Sequence, residues 1–193
     1  KAVAIVNAKR VDSIYPYSEL SGCGVGFKIV QAFSIRNNLP LSEITNLLDM
    51  VAVSIASDIV PMTGENRILM YHGLKQLNSN PNFGLKGIID ICRLGRKELA
   101  LEDIVFKIGP RINASGRMMN GKEAVELLLS TDMTSARIKT KSIDKYNEDR
   151  RELDKKITKQ AFNYIDNHVN IESLKGIVVY DETWHKGIVG IVA

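Results

Sequence analysis

The longest uninterrupted feature of the sequence runs from Met133 to about His168 and contains neither glycine nor proline. Apolar residues recur in it at close to helical spacing, and the other positions are heavily charged. One helix of about 36 residues would be about 54 Å long at 1.5 Å per residue. Because helices of this length usually connect domains, we expect a long solvated connector whose charged residues form its wet face. Its apolar positions are Ile143, Tyr146, Leu153, Ile157, Ala161 and Tyr164, with one polar gap at Arg150.

The bulk numbers exclude several classes of protein. The chain has 193 residues, 45% hydrophobic and 25% charged, which fits one globular domain or one domain plus part of another. Cys23 and Cys92 are too few for a disulfide scaffold or a zinc site, so free thiols in a reducing cytosol are expected. No apolar run approaches the roughly 20 residues that span a bilayer. The net charge of +4 permits a polyanionic partner without requiring one.

The two ends of the chain indicate that it is a piece of a longer protein. Residues 2–6 form an apolar, strand-like run with no preceding turn, and residues 188–193 form an apolar run with no stop signal. Natural termini are usually polar and lie at the surface. A second strand is predicted at residues 176–180, where it would open a second domain.

The segment from Ile108 to Arg117 carries the most specific polar pattern. We expect Gly109 and Pro110 to stop the preceding helix, which would place the polar residues that follow on a shaped loop. Arginine forks bind phosphate bidentately, and an asparagine can both donate and accept. The chemistry favours equally a phosphate-binding loop and a turn whose arginines pair with carboxylates. The polar residues are Arg111, Asn113 and Arg117.

Asp58 lies at the end of a helix predicted to be buried. The run from Leu47 to Ala56 is apolar on nearly all faces, and Pro61 forces the chain to leave the helix. A carboxylate at the edge of a buried element must be paired, used as a cap or bound to a cation. From local chemistry alone, capping the helix that begins near Gly64 or ion pairing is favoured over a metal.

The loop before the last apolar run contains Trp184, His185 and Gly187. A histidine and a glycine at a helix N-terminus can hold an anion on backbone N–H groups. The alternative is that Trp184 packs at a domain junction and His185 is an exposed loop residue.

Four stretches, in the same order, resemble motifs of the RecJ exonucleases, which belong to the DHH phosphoesterase superfamily. Ala8 and Lys186 depart from the family pattern, because proline is common at both positions. The stretches are residues 7–28, around Tyr15 and Pro16; residues 57–67; residues 109–117; and residues 184–193.

The resemblance implies an α/β fold that is predominantly helical in this chain. Residues 1–130 would form the C-terminal part of a DHH phosphoesterase domain, a parallel-sheet domain that carries a helical insert. Residues 131–170 would form a long connecting helix. Residues 171–193 would begin a second α/β domain of the DHHA1 type.

The resemblance also implies a function, namely a metal-dependent 5′→3′ exonuclease that hydrolyses phosphodiester bonds of single-stranded DNA in DNA repair and recombination. Asp58 would be a ligand of Mn²⁺ or Mg²⁺, cations that favour oxygen ligands. Arg111, Asn113 and Arg117 would be catalytic and would line a cleft that holds DNA phosphates. Arg111 and Arg117, together with His185 and Gly187 from the second domain, would bind the substrate.

In the implied mechanism, paired metals activate a water and the arginines offset charge in the transition state. Only one of the expected metal ligands is present, so we expect the chain to be inactive alone. The implied protein is a cytoplasmic monomer that acts on single-stranded DNA and makes no membrane contact. A single-strand-binding protein is a candidate second partner.

Two alternatives stay open. One is another DHH phosphodiesterase, acting on oligoribonucleotides or cyclic dinucleotides. The other is a non-catalytic nucleic-acid-binding module, which would keep salt-dependent affinity for DNA.

Overall fold

The structure, a computed structural model, describes residues 2–95, 97–168 and 174–193, and its regular elements are helices. None of the described helices combines the length and apolarity needed to cross a membrane. The predominantly helical character expected from the sequence is confirmed. The helices are α1 (Gly22–Arg36), α2 (Leu48–Ser57), α3 (Gly64–Ser79), α4 (Phe83–Ile91), α5 (Leu101–Asp103), α6 (Gly109–Met118), α7 (Lys122–Leu128), α8 (Met133–His168) and α9 (Lys186–Val192).

Helix α2 lies at the centre of the core. Its apolar side chains are buried on nearly every face, and α1, α3 and α6 pack around it. Asp49 is the polar exception, with its carboxylate accepting the backbone N–H groups of Met50 at 2.6 Å and Asn82 at 2.7 Å. Burial raises the pKa of Asp49, and the two hydrogen bonds oppose that rise. The carboxylate therefore ties α2 to the turn before α4.

Helix α8 has the extent that the sequence predicts, and one face of its first half is buried. Ala136, Thr140 and Ile143 are buried, and this helix packs against α4 and α7 as well as α6. Residues spaced three and four apart share one helical face, so a single stripe faces the core while the charged faces stay exposed. The helix therefore contributes to the core of the described residues, and its role as a connector stays a prediction.

The segment that was expected to form a loop is helical instead. Gly109 and Pro110 are the first residues of α6. Proline is well tolerated at the first helical positions, because the N–H that it lacks has no partner within the helix there. A π-helical turn, Ile104–Ile108, precedes them and joins α5 to α6 without a break. A π turn is wider than an α turn and gives the proline ring room in a continuous helix. The loop prediction for the three polar residues is therefore wrong.

The strands predicted at residues 2–6 and 176–180 are absent from the described part of the chain, where both segments are irregular. Their apolar side chains stay largely exposed: Val3 by 105%, Val178 by 96% and Tyr180 by 82%. A strand needs a neighbour to complete its ladder of hydrogen bonds, and no described segment supplies one.

The proposed division into residues 1–130, 131–170 and 171–193 stays a prediction. Residues 169–173, where the connecting helix would give way to the second domain, lie outside the described residues.

Candidate functional site

Helix α6 carries three of the predicted site residues and separates them onto different faces. At 100° per residue, Asn113 and Arg117 stand on one face, and both are exposed. Arg111 points about 160° away from Asn113 on the same geometry, towards the side where Ala114 and Ser115 are buried. The structure therefore does not bring all three residues to one surface.

Arg111 is held by partners inside the protein. Its Nε donates to Asp144 on α8 at 2.7 Å, and its Nη1 donates to the carbonyl oxygen of Lys107 at 2.8 Å. Both side chains of the Arg111–Asp144 pair are about four-fifths buried, with 19% and 21% exposed. Of the two interpretations that the sequence left open, pairing with a carboxylate describes Arg111.

The first residue of α6 lies against the end of α2, next to Asp58. A β-carbon at Gly109 would stand 2.5 Å from the Ser57 hydroxyl, so only glycine lets the two helices approach this closely. Asp58 is the C-cap residue of α2 and is exposed, with its Oδ2 accepting a hydrogen bond from Ser54 at 3.1 Å. It does not cap the next helix, because Thr63 occupies the N-cap of α3.

The backbone is strained immediately after Asp58. Ile59 has a φ of 52°, which is rare for a β-branched residue. Its side chain is 81% exposed, so packing does not explain the conformation. Such strain costs on the order of 1–3 kcal/mol and often accompanies functional positions. The strained backbone therefore makes the turn at Asp58 a candidate functional position.

A tyrosine clamp fastens the N-terminal segment beside this turn. The Tyr15 hydroxyl donates to Glu65 at 2.6 Å, and Lys28 pairs with the other oxygen of Glu65 at 2.9 Å. Burial and then the contact with Glu65 raise the pKa of Tyr15 to about 12. The ring of Tyr17 covers Gly64, and its hydroxyl donates to the Pro61 carbonyl at 3.2 Å. Together these contacts hold both sides of the turn.

The other end of α6 meets the start of α9. The Arg117 guanidinium donates to the Gly187 carbonyl at 3.3 Å, and a β-carbon at Gly187 would collide with the Arg117 carbonyl. His185 caps α9, because its Nδ1 accepts the Gly187 N–H at 3.1 Å. With Nδ1 accepting, Nε2 carries the ring proton and is the atom that can donate to an anion. Trp184 is fixed to α8 by a 3.1 Å hydrogen bond to Gln160.

The sequence analysis missed a polar stripe in the middle of α8, formed by Asn147, Arg150 and Asp154. Asn147 is 4% exposed, and the Arg150 and Asp154 side chains are 17% and 29% exposed. These positions continue the three-and-four spacing of the buried residues from Ala136 to Ile143. The spacing predicts that these three residues share the buried face. The sequence analysis instead treated Arg150 as a polar gap and assigned the charged run to a solvated face.

Four buried polar side-chain atoms have no hydrogen-bond partner among the described residues, and they belong to two regions. Ser57 Oγ and the Asn66 carbonyl oxygen belong to the segment around Asp58. Asn147 Oδ1 and Arg150 Nε belong to the α8 stripe. Because native structures satisfy nearly all buried polar groups, each unpaired atom calls for an explanation.

The described residues do not form a metal site by themselves. Among them, no group of three or more histidine, cysteine, aspartate or glutamate side chains could hold a metal ion. Asp58 is a single exposed carboxylate, which fits one position of an octahedral Mg²⁺ site whose other ligands come from water, substrate phosphates or further carboxylates. No catalytic step through a metal follows from these residues alone.

Comparison with known proteins yields one consistent result. No family model matches the chain. The chain is 32% identical over 205 residues to the single-stranded-DNA-specific exonuclease RecJ of Salmonella typhimurium, and 35% identical over 190 residues to RecJ of Bacillus subtilis. These alignments cover 100% and 98% of this chain, but only 35% and 23% of the two relatives.

Solved structures agree with the sequence relatives. The fold matches the crystal structure of RecJ in complex with Mg²⁺ from Thermus thermophilus with a TM-score of 0.81 and 28% identity. The Mn²⁺ complex from the same organism gives a TM-score of 0.80 at 28% identity. The two matches cover 93% and 92% of this chain and 27% and 26% of the solved chains. The resemblance to RecJ is thereby confirmed, and the cations in those structures are the two that it implies.

Proposed function

The chain is related to the RecJ single-stranded-DNA-specific exonucleases along its whole length, and we propose that the protein is an exonuclease of that type. It would hydrolyse phosphodiester bonds of single-stranded DNA from the 5′ end, with Mg²⁺ or Mn²⁺, in DNA repair and recombination. The chain spans about a third of the length of the Salmonella typhimurium relative, so activity and substrate are proposed for the full-length protein. The proposal places it in the cytoplasm as a monomer, with a single-strand-binding protein as a second partner.

The observation that carries the proposal is the position of α6 between two motif-bearing segments. Its first residue packs beside Asp58, and its Arg117 contacts Gly187 next to His185. The eight helical rises from Gly109 to Arg117 span about 12 Å at 1.5 Å per residue. The exposed face of α6 therefore presents Asn113 and Arg117 between the two segments, as a surface that tracks a DNA strand requires.

The separation of residues on α6 refines the roles expected from the sequence. We assign direct phosphate contact to Asn113 and Arg117, and a further donor to the Nε2 atom of His185. Gly187 contributes to this surface by lacking a side chain, because its N–H is bound to His185 Nδ1 and its carbonyl oxygen to Arg117. Arg111 keeps a catalytic contribution in this proposal by positioning, because its pair with Asp144 locks α6 against α8. Because α6 is already fixed, less conformational entropy is lost when its exposed face binds a ligand.

Asp58 is proposed as one ligand of the divalent metal. Its exposed oxygen and the strained backbone at Ile59 support this role. The other ligands would come from parts of the full-length protein outside this chain. The irregular segments 2–6 and 176–180 would in the same way pair with strands of the parallel-sheet domain and of the DHHA1-type domain.

Replacing Asp58 by alanine in the full-length protein tests the proposal. Release of nucleotides from a labelled single strand should fall by roughly 100-fold or more, because metal-assisted catalysis contributes several kcal/mol. Asp90→Ala, which removes an exposed carboxylate on α4, is the matched control and should leave the rate unchanged. Full activity in the Asp58 variant, or equal loss in both variants, would rule out the proposed role.

Two other outcomes separate the alternatives. Faster hydrolysis of oligoribonucleotides or cyclic dinucleotides than of single-stranded DNA would favour another DHH phosphodiesterase. DNA binding without turnover in the full-length protein would favour a binding module, which the exposed Arg117 beside α9 would serve. We expect the present chain alone to release no nucleotides.

A further inference from the structure

The buried stripe of α8 changes character halfway along the helix. Ala136, Thr140 and Ile143 make its first part small or apolar, and Ile157 is buried again further on. Between them the same face carries the polar stripe Asn147, Arg150 and Asp154. α6 and α9 pack on α8 and on each other, and polar groups there need partners.

Arg150 is poorly neutralised at this position. Its single ion pair among the described residues is with Asp154, at 4.0 Å, and its Nε has no hydrogen-bond partner there. Burial lowers the pKa of Arg150, and the nearby charges of Arg151 and Arg117 lower it further, whereas Asp154 opposes the change. The charge of Arg117, on the helix α6 that packs against α8, is thus among the charges that act on Arg150.

Arg117 also has N–H donors that make no hydrogen bond within the described residues. It is exposed, and its one contact in the described structure is the long hydrogen bond to the Gly187 carbonyl. A guanidinium carries five N–H donors, and paired guanidinium groups suit the bidentate recognition of phosphate. An anion placed between the two arginines would remove their repulsion and fill their open hydrogen bonds.

We propose that Arg150 and Arg117 together form a phosphate subsite at the junction of α6, α8 and α9. This inference rests on the proposed function, since the phosphate is one of single-stranded DNA, and it adds a residue of the long helix to the binding surface. The helix is then part of the site as well as a connector.

Asn147 has a positioning role in this subsite. Its unpaired Oδ1 is an acceptor, and the unpaired Nε of Arg150 is a donor one helical turn away on the same face. When Arg150 turns from Asp154 towards a phosphate, its Nε edge can donate to Asn147 while both terminal nitrogens face the ligand. The two unpaired groups then satisfy each other.

The test compares Arg150→Gln with Arg151→Gln in the full-length protein. Arg151 is the adjacent residue, is exposed, and loses the same charge in the control. Affinity for a 3′-fluorescein-labelled oligothymidylate is measured by anisotropy without divalent metal, over a series of salt concentrations. Arg150→Gln should weaken binding about tenfold and reduce the slope of log K against log salt by about 0.7, while Arg151→Gln changes affinity about twofold or less.

A double-mutant cycle with Arg117→Gln separates this inference from the proposed function. If both arginines hold one phosphate, the double variant loses less affinity than the product of the two single losses. If Arg117→Gln weakens binding but Arg150→Gln behaves like the Arg151 control, Arg150 is structural and this inference is overturned, while the phosphate role of Arg117 stands. If neither variant changes affinity, the junction binds no DNA and both ideas fail there, independently of the Asp58 test.

Arg150→Lys covers the case in which the glutamine variant fails to fold. Lysine keeps the charge but loses the planar fork, so the salt slope should stay near the wild-type value while affinity falls about threefold. Wild-type affinity in a folded Arg150→Lys variant would contradict bidentate binding and overturn the proposal. A thermal melt of each variant reports whether it is folded.

Discussion

Two regions of α8, residues 136–143 and residues 147–154, make opposite contacts with the same spacing of side chains. In the first region Thr140 is buried, donates a hydrogen bond to the Ala136 carbonyl at 2.7 Å, and lies against Gly87 of α4. In the second region Asn147 and Arg150 are largely buried and keep unpaired atoms among the described residues. The first region buries small and apolar groups, whereas the second buries polar groups at a cost in stability. Such a local departure from good packing is typical of functional surfaces.

The largest expected effect lies in the first region. Ile143→Ala should lower the free energy of unfolding by about 2–5 kcal/mol, because Ile143 is 1% exposed and belongs to the main core cluster. Ile138→Ala on the same helix is the control, and it should change stability by about 0.5 kcal/mol or less since Ile138 is 66% exposed. Urea denaturation followed by circular dichroism measures both. Equal losses would mean that α8 is not packed as described.

A second, smaller effect contrasts the fully paired carboxylate of Asp103 on α5 with an exposed carboxylate on α8. The 5%-exposed Asp103 pairs with Lys97 and Lys107 at 2.9 Å each and accepts the Ala100 N–H at 3.2 Å. Asp103→Asn should cost about 1–2 kcal/mol, a figure that allows for the solvent exposure of both lysines. The exposed pair between Lys145 and Asp149 is the comparison, and Asp149→Asn should cost about 0.5 kcal/mol or less.

The same carboxylate predicts a pH dependence. Lys97, and then Lys107, hold the pKa of Asp103 well below its usual range. The unfolded chain therefore binds this proton more readily than the folded protein does. The stabilisation is fully present above the unfolded value of about 3.9 and is lost as the pH falls through the lower folded value. Unfolding curves of wild type and Asp103→Asn should converge on acidification, and a constant gap between them would contradict the pairing.

The smallest expected effect is at the junction itself. Asp154→Asn should change the free energy of unfolding by about 0.5 kcal/mol or less, because its pair with Arg150 is long and partly exposed. It should tighten binding of single-stranded DNA by about twofold, since Arg150 loses a competing anion. Anisotropy titration measures the change. Weaker binding would show that Asp154 holds Arg150 in its working position.

The comparison also explains which parts of the structure were predictable. The apolar run of α2 and the length of α8 follow from periodicity and from the absence of helix breakers, which are local properties. The site was only partly predictable. The spacing of Asn113 and Arg117 is compatible with a shared helical face. Because a loop was expected, the sequence offered no reason to predict that helical geometry turns Arg111 away from that face, towards Asp144. The roles of Asp58, His185 and Gly187 in binding stay predictions.

The failures have identifiable physical causes. Residues 2–6 were predicted as a strand from composition, but a strand forms only beside a partner distant in sequence. Gly109 and Pro110 were expected to break a helix, but the π turn immediately before them allows the helix to continue. Arg150 was assigned to a solvated face because charged groups usually stay in water, whereas packing leaves its side chain 17% exposed.

The amino-acid sequence alone determined where the long helices lie, and its four motif-like stretches pointed to the RecJ relatives. Only the tertiary structure decided which polar side chains face one another, because helix packing selects the contacts of each face and local propensity does not. The contact of Arg117 with Gly187 and the burial of Arg150 could not be predicted from spacing, since they depend on three helices that pack together from separate parts of the chain.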